Sequence, residues 1–400
     1  MTDRLYEKDA YIRRFTAVVT DCCEGKDHYC VELDRTAFYP EGGGQSGDTG
    51  SLIWENELGD NLVVTVEDTR FEEGKIVHVT DRGLPIGALV SGEICWEKRF
   101  DHMQNHSGEH IVSGLIHETF GYNNVGFHMG HDFVTIDLDG ILTMDQLRDI
   151  ERRANEAVYA DVPVQIDCYT LEEAANQIYR SKKELEEPIR VVTIPGADRC
   201  ACCGTHVART GEIGEIRLFD AEHFHSGVRI RMLCGRRCYE YTSEVLTQAR
   251  IAGNVWSASP LKLGESAQAA RQAASDEHEQ LGQLQDWFFR SAARWLMNEG
   301  DVVVFARELS PDSVRRLADA VMQQCGGICV ALAGSRKDGY HYTMGSTSGD
   351  IRELLSDMNG KLSGHGGGRG GFAMGAVRAT RYQIEEYFKN RPEEWKVQDL

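Results

Sequence analysis

The stretch NHSGEHIVSGLIHETF sets His106 and His110 four residues apart among apolar residues that recur at helical spacing. On a helix, that spacing puts both imidazoles on one face, one turn apart, close enough to bind a single ion. The pair alone is a weak signal, since two solvent-facing histidines on a helix are common. A second pair strengthens it: in RCACCGTHVARTGEIG, Cys202 and His206 again stand four apart, across a Gly-Thr turn. One thiol and three imidazoles form a borderline-soft donor set suited to tetrahedral zinc, one ion per chain. Cys203, three residues before His206, competes for the thiol position, whereas Cys200 lies too far along an extended strand. Spacing favours Cys202 and leaves Cys203 open. Glu109 is the acid nearest the histidine pair; it has the chemistry of a general base, but its position allows it equally to face solvent or orient a ligand.

The elements that must position these groups are legible in outline. Residues 1–92 carry alternating β-branched runs, FTAVVTDCC, HYCVELD, LVVTVED and KIVHVTD, separated by EGKD, PEGGGQSGDTG and DRGLPIG. That pattern predicts an antiparallel, barrel-like β-domain. Residues 93–250 alternate helix and strand: a helix over 103–120, a strand at HDFVTIDLDG, a helix at TMDQLRDIERRANEAVYAD and a strand at PVQIDCYT. A charged helix, LEEAANQIYRSKKELEE, and the strands IRVVTI, GEIRLFDAEHF and VRIRMLCG complete an α+β domain. Residues 251–300 read as a helical linker, in which Leu281, Leu284, Phe288 and Trp295 form an apolar seam suited to packing or to pairing in a homodimer. Residues 301–400 run strand, helix, strand, helix and a glycine-rich GHGGGRGG, which predicts a small α/β domain. The fold class is thus multidomain α+β.

Composition narrows the function. The chain has 400 residues and 12 cysteines, with no uninterrupted apolar run of membrane-spanning length and no apolar core for a signal peptide at its start. A cytoplasmic location is expected, and the cysteines read as thiols or ligands rather than disulfides. A net charge of −20 argues against a protein held to nucleic acid by bulk electrostatics. Local basic groups remain, notably Arg229, Arg231, Arg236 and Arg237 within RIRMLCGRR.

The combination of HSGEH, CCGTH followed by RTGEIG, and an upstream FYPEGGGQSGDTG resembles the editing part of alanyl-tRNA synthetases and the freestanding editing proteins of the AlaX type. The tail, from ALAGSRKDGYHYTMGSTSGD to GHGGGRGGFAMGA, is similar to the DHHA1 domain of the longer members. The resemblance implies a barrel joined to an editing domain, with His106, His110, Cys202 and His206 as zinc ligands. It implies a substrate as well: alanine tRNA wrongly charged with serine or glycine. No ATP-binding aminoacylation core is recognisable, so the expectation is hydrolysis in trans. Two departures stand out. Cysteine follows Cys202 where the synthetases have glycine, and Glu109 stands where they have a smaller residue.

Ester hydrolysis needs an activated water, oxyanion stabilisation and a held substrate. Rejecting alanine is the harder task, because a pocket that merely has room for serine admits alanine too. A site that hydrogen-bonds the serine hydroxyl can discriminate by roughly 10⁴. Gln45 is the leading partner for that hydroxyl and Thr36 a second, while Gly42, Gly43 and Gly44 let the backbone approach the terminal adenosine. Arg229, Arg231 and Arg369 are candidate contacts to the tRNA backbone. The rival reading is a zinc-stabilised tRNA-binding module without turnover. A phosphoesterase reading of the tail fails, because no Asp-His-His cluster is present at Asp101–Met103.

Overall fold

The computed structural model describes residues 2–56, 59–181, 187–335 and 337–400, and the chain divides into two compact units, residues 1–249 and 250–400. In the first unit six strands close into a barrel: β1 (Arg14–Glu24), β2 (Tyr29–Leu33), β3 (Gly50–Glu55), β4 (Asn61–Glu72), β5 (Lys75–Thr80) and β6 (Leu89–Ile94). They follow one another around the barrel as β1-β2-β5-β4-β3-β6, every pair antiparallel. Two-residue alternation drives the closure: β1 buries Phe15, Ala17 and Val19 and turns Arg14, Thr16 and Thr20 outward. β6 contains Gly92, where a Cβ would sit 2.5 Å from the Phe15 ring.

Inside the barrel, Thr36 and His78 form a fully buried polar pair, Oγ1 to Nε2 2.8 Å. His78 Nδ1 lies 2.9 Å from the Val31 carbonyl, so it carries the proton, and Nε2 accepts from the Thr36 hydroxyl. Burial lowers the His78 pKa from 6.5 to about 4. Between those values the unfolded chain binds the extra proton and the native barrel does not. His78 thus supports the fold above pH 6.5, and that support is lost as pH falls through about 4, a difference of ~3 kcal/mol. Denaturant titrations at pH 7 and pH 4.5 should show a smaller acid-induced loss of stability in His78→Gln than in the wild type; equal losses would remove His78 from the account.

The helix α1 (Trp96–Phe120) begins seven residues earlier than the pattern predicts. The cause is Arg99, fully buried at its first turns. Its Nε donates to Asp48 Oδ2 at 2.9 Å, Nη1 to the Ala10 carbonyl at 2.8 Å and Nη2 to the Ala37 carbonyl at 2.5 Å. Asp48 also accepts the Tyr39 N–H at 2.6 Å, so one ion pair ties α1 to both ends of the loop that contains PEGGGQSGD. From His102 to Ile116 every residue of α1 is buried, charged and polar groups included. A helix enclosed on all sides that keeps Gln104, Asn105, His106, Ser107, Glu109 and His110 must pair them internally.

Around α1 lie β7 (Asn124–Met129), β8 (Val134–Leu138), α2 (Met144–Tyr159), β9 (Gln165–Tyr169), β10 (Ile189–Ile194), β11 (Asp198–Ala201), β12 (Ile216–Phe224) and β13 (Gly227–Cys234). They form a four-stranded sheet, β12-β13-β8-β7, and a three-stranded one, β9-β10-β11. The helix expected at LEEAANQIYRSKKELEE is a single turn, Leu171–Ala174; residues 182–186 of that stretch lie outside the described residues. Beyond the turn, the backbone is drawn alongside β11. Arg180 N–H donates to the Arg199 carbonyl at 2.8 Å, and the Arg180 carbonyl accepts from Ala201 N–H at 2.9 Å. Helix α3 (Gly235–Trp256) follows, unanticipated by the sequence pattern.

The second unit contains a six-stranded sheet flanked by helices. Its elements are α4 (Leu263–Ala293), β14 (Gly300–Ala306), α5 (Pro311–Cys325), β15 (Gly326–Ser335), β16 (Gly339–Ser346), α6 (Arg352–Lys361), β17 (Gly364–Arg369), β18 (Phe372–Val377), α7 (Arg381–Lys389) and β19 (Trp395–Asp399), with sheet order β17-β18-β16-β15-β14-β19. The glycine-rich GHGGGR is an edge strand of this sheet rather than a loop. Helix α4 packs through Phe289, Ala292 and Ala293, while Leu281, Leu284, Phe288 and Trp295 of the expected seam face solvent. Among the described residues, no helix is long and apolar enough to cross a membrane.

Candidate metal centre

His106 and His110 project from α1, and Cys202 and His206 from the turn that follows β11. One donor atom from each lies within 4.8 Å of the others. The three histidines are held from behind. His106 Nδ1 donates to Gln45 Oε1 at 3.1 Å, and His110 Nδ1 to Asp198 Oδ2 at 2.8 Å. His206 Nδ1 lies 3.3 Å from Ser107 Oγ, which also accepts the Val207 N–H at 3.1 Å. With each Nδ1 occupied, each Nε2 is left to face the centre: that of His106 is 3.4 Å from Cys202 Sγ, and that of His206 is buried with no hydrogen-bond partner among the described residues. This arrangement fits a metal ion, because an orphaned buried nitrogen is costly unless something binds it.

The electrostatics agree with a ligand set. Burial opposes ionisation of Cys202, yet the His106 and His206 imidazoles hold its thiol well below the ordinary value of 9.0. Burial likewise lowers His206, to about 3, so that it stays neutral. At His110 burial would also lower the pKa, but the Asp198 carboxylate and the Cys202 thiolate outweigh it and raise the value to about 10. That environment favours a positive charge where a cation would sit. Cys203, by contrast, is exposed and lies outside the converging group.

The loop from the barrel closes one wall. Gly44 has φ +88°, and a Cβ there would lie 2.4 Å from the Phe127 carbonyl oxygen; its own carbonyl accepts the Met129 N–H at 3.0 Å. Phe127 in turn stacks on His106, centroids 5.1 Å apart. Gly204 is equally confined, since a Cβ would meet His106 Cε1 at 2.1 Å. Gly43 is exposed with nothing near it. Gln45 is fully buried, its Nε2 donating to Thr205 Oγ1 at 3.0 Å while Oε1 serves His106. Gln45 thus supports a candidate ligand, and among the described residues one of its amide N–H groups has no acceptor. Gln45→Ala should weaken metal binding ~10-fold or more, read by chelator competition; unchanged affinity would show that the His106 contact does nothing for the metal.

Glu109 is not solvent-facing. It is 1% exposed and accepts from Ser113 Oγ at 2.5 Å and from Asn124 Nδ2, joining α1 to the start of β7. The arginines of RIRMLCGRR do not form one bare basic face. Arg229 pairs with Asp137 and stacks on Phe224, Arg231 pairs with Asp220 over Phe133, and Arg236 pairs with Glu97 and Glu240. Arg237 donates to the Gly130 and His131 carbonyls. Arg369 ends the exposed edge strand β17. The sequence reading missed Ser107, Asp198, Thr205 and Arg190, whose Nη1 donates to the Cys202 and Gly204 carbonyls at 2.8 and 2.9 Å. No local signal marks them, since each meets its partner only through the fold.

Residues 189–231 match the family model described as the threonyl and alanyl tRNA synthetase second additional domain, and residues 7–98 match that of the class II (A) tRNA synthetases. The alanyl-tRNA editing protein AlaX-L of Pyrococcus horikoshii is 28% identical over 410 residues, covering 96% of both chains. The alanine–tRNA ligase of Halobacterium salinarum is 32% identical over 369 residues, 87% of this chain but 39% of the ligase. The alanyl-tRNA editing protein Aarsd1 of Bos taurus is 32% identical over 233 residues, 54% of this chain and 50% of that protein. Over almost its whole length the chain is thus similar to a freestanding alanyl-tRNA editing protein of the AlaX type.

Proposed function

We propose that the protein is a trans-editing hydrolase that cleaves the ester of alanine tRNA mischarged with serine, and secondarily with glycine, at a site holding one zinc ion. The observation that carries this reading is the donor set itself: one thiol favoured as thiolate and three Nε2 atoms turned inward, beside a glycine-rich wall. Zinc at these residues would supply Lewis acidity to an oxygen of the water or ester, or an anchor for the substrate amine or hydroxyl.

The protein's own groups do the rest. The loop at Gly43 and Gly44 brings backbone close to the terminal adenosine, and Phe127, between Gly44 and His106, holds that loop against the imidazole. Reading serine falls to Thr36 or Gln45, and their commitments set the sense of each contact. Thr36 spends its proton on His78 and accepts the Phe38 N–H, so it can serve serine only as a further acceptor. Gln45 can serve it only through its spare N–H. A serine hydroxyl, both donor and acceptor, can satisfy either one, and an alanine methyl can satisfy neither. Glu109 acts by fixing the ligand helix rather than as a base. In the cytoplasm, where charged tRNA is found, Arg369 and the glycine edge strand of the second unit would meet phosphates, with Arg229 and Arg231 as further contacts. The exposed apolar residues of α4 would pair in a homodimer.

Deacylation of serine-, glycine- and alanine-charged alanine tRNA by the zinc-loaded protein tests this reading. Loss of serine and glycine with alanine spared is the expected pattern. Binding of all three without turnover would instead make the chain a tRNA-binding module.

A further inference from the structure

We infer that Asp198 and Arg180 form a positioning relay for the ligand His110, with Asp198 setting the imidazole's tautomer and aim and Arg180 holding Asp198 charged and oriented. The inference rests on the reading of His106, His110, Cys202 and His206 as metal ligands. Asp198 Oδ2 accepts from His110 Nδ1 at 2.8 Å. Arg180 closes on the same carboxylate with two bonds, Nε to Oδ1 at 2.8 Å and Nη2 to Oδ2 at 2.9 Å. The Asp198 side chain is 1% exposed and that of Arg180 16%. A carboxylate so enclosed must be paired, and a bidentate guanidinium fixes its plane as well as its charge.

Cys200 also approaches, and His110, Asp198 and Cys200 by themselves make a group that could hold a cation. Here both carboxylate oxygens are already taken by Arg180, so the guanidinium fills the role a second metal would play. Arg180 does more than neutralise. Its backbone is paired with Arg199 and Ala201 on β11, the strand that runs into Cys202. The relay therefore joins the two halves of the ligand set, His110 on α1 and Cys202 after β11. Asparagine at 198 cannot replace the carboxylate: with donors on both sides, one from His110 and two from Arg180, its amide N–H₂ meets another N–H in either orientation.

Cobalt(II) serves as the probe, with its affinity measured by chelator competition and its ligand field by visible absorption. Asp198→Asn and Arg180→Met should bind cobalt ~10- to 100-fold more weakly than the wild type and with displaced bands, while Arg180→Lys, which keeps the charge but loses the fork, should fall between. A merely structural role would lower the melting temperature of the metal-free variants and leave the affinity and spectrum of the folded protein unchanged, and that result overturns the relay. If Asp198→Asn does not fold, the ranking of wild type, Arg180→Lys and Arg180→Met decides the matter in the same way. A wild type that takes up no cobalt would remove the metal reading itself, a failure distinct from that of the relay.

Discussion

Cys202→Ala is expected to abolish both metal uptake and hydrolysis of mischarged tRNA, while Cys203→Ala leaves both near the wild-type level. Removing an outer partner of a metal ligand costs about 10- to 100-fold in affinity, so removing a ligand should cost more than 100-fold. The thiolate also carries the one negative charge among four donors of which three are neutral when bound. The structure distinguishes the two neighbouring cysteines clearly. Cys202 Sγ faces His106 Nε2 at 3.4 Å and accepts the Gly204 N–H at 3.3 Å, whereas Cys203 is exposed and outside the donor group. Metal content by atomic emission and single-turnover deacylation of serine-charged tRNA would check both variants. Retention of metal in Cys202→Ala, lost only when Cys203 is also replaced, would mean that the second thiol steps in.

The largest effect on stability is expected at Arg99. Arg99→Met strands Asp48, 1% exposed, beside the Tyr39 N–H with no counter-charge, and strips hydrogen bonds from the Ala10 and Ala37 carbonyls. Breaking a buried pair by removing one partner costs about 3–5 kcal/mol, which lowers the melting temperature of a unit this size by roughly 10 °C. Arg99→Met combined with Asp48→Leu should cost less than Arg99→Met alone, because no charge is then left unpaired. Calorimetry on the single and double variants would check this. A single variant that melts with the wild type would mean that water or another group already compensates Asp48. The pair lies between the barrel loop and α1, so its loss should also loosen Gln45 behind His106.

The same contacts show which parts of the molecule could be read without a structure. Arg14–Glu24 was legible because burial follows the pleat as far as Val19, and Lys75–Thr80 because KIVHVT is rich in β-branched residues, although it is buried on both faces after Lys75. Gly50–Glu55 and Leu89–Ile94 were not: GSLIWE alternates weakly, and LVSGEI buries Val90, Gly92 and Ile94 but exposes Leu89, so its residue types hide the alternation. The two candidate ligand pairs were legible because both spacings are local. Their supports were not: Gln45 to His106, Asp198 to His110 and Ser107 to His206 span 61, 88 and 99 residues. Charge patterns misled in a consistent direction. LEEAANQIYRSKKELEE has helical composition, yet after the turn at Ala175–Gln177 the chain leaves the helix and Arg180 is drawn to Asp198 and to the strand Asp198–Ala201. The arginines of RIRMLCGRR looked like a basic face, but the acids that pair with Arg229 and Arg231 come from neighbouring strands.

The most direct test of the account is a zinc titration of the wild-type protein, stripped of metal and verified as folded, followed by deacylation of serine-charged alanine tRNA. The expected result is negligible hydrolysis without metal and activity that rises in proportion to zinc and saturates at one ion per chain. Full hydrolysis by the folded, metal-free protein, unchanged on adding zinc, would contradict it.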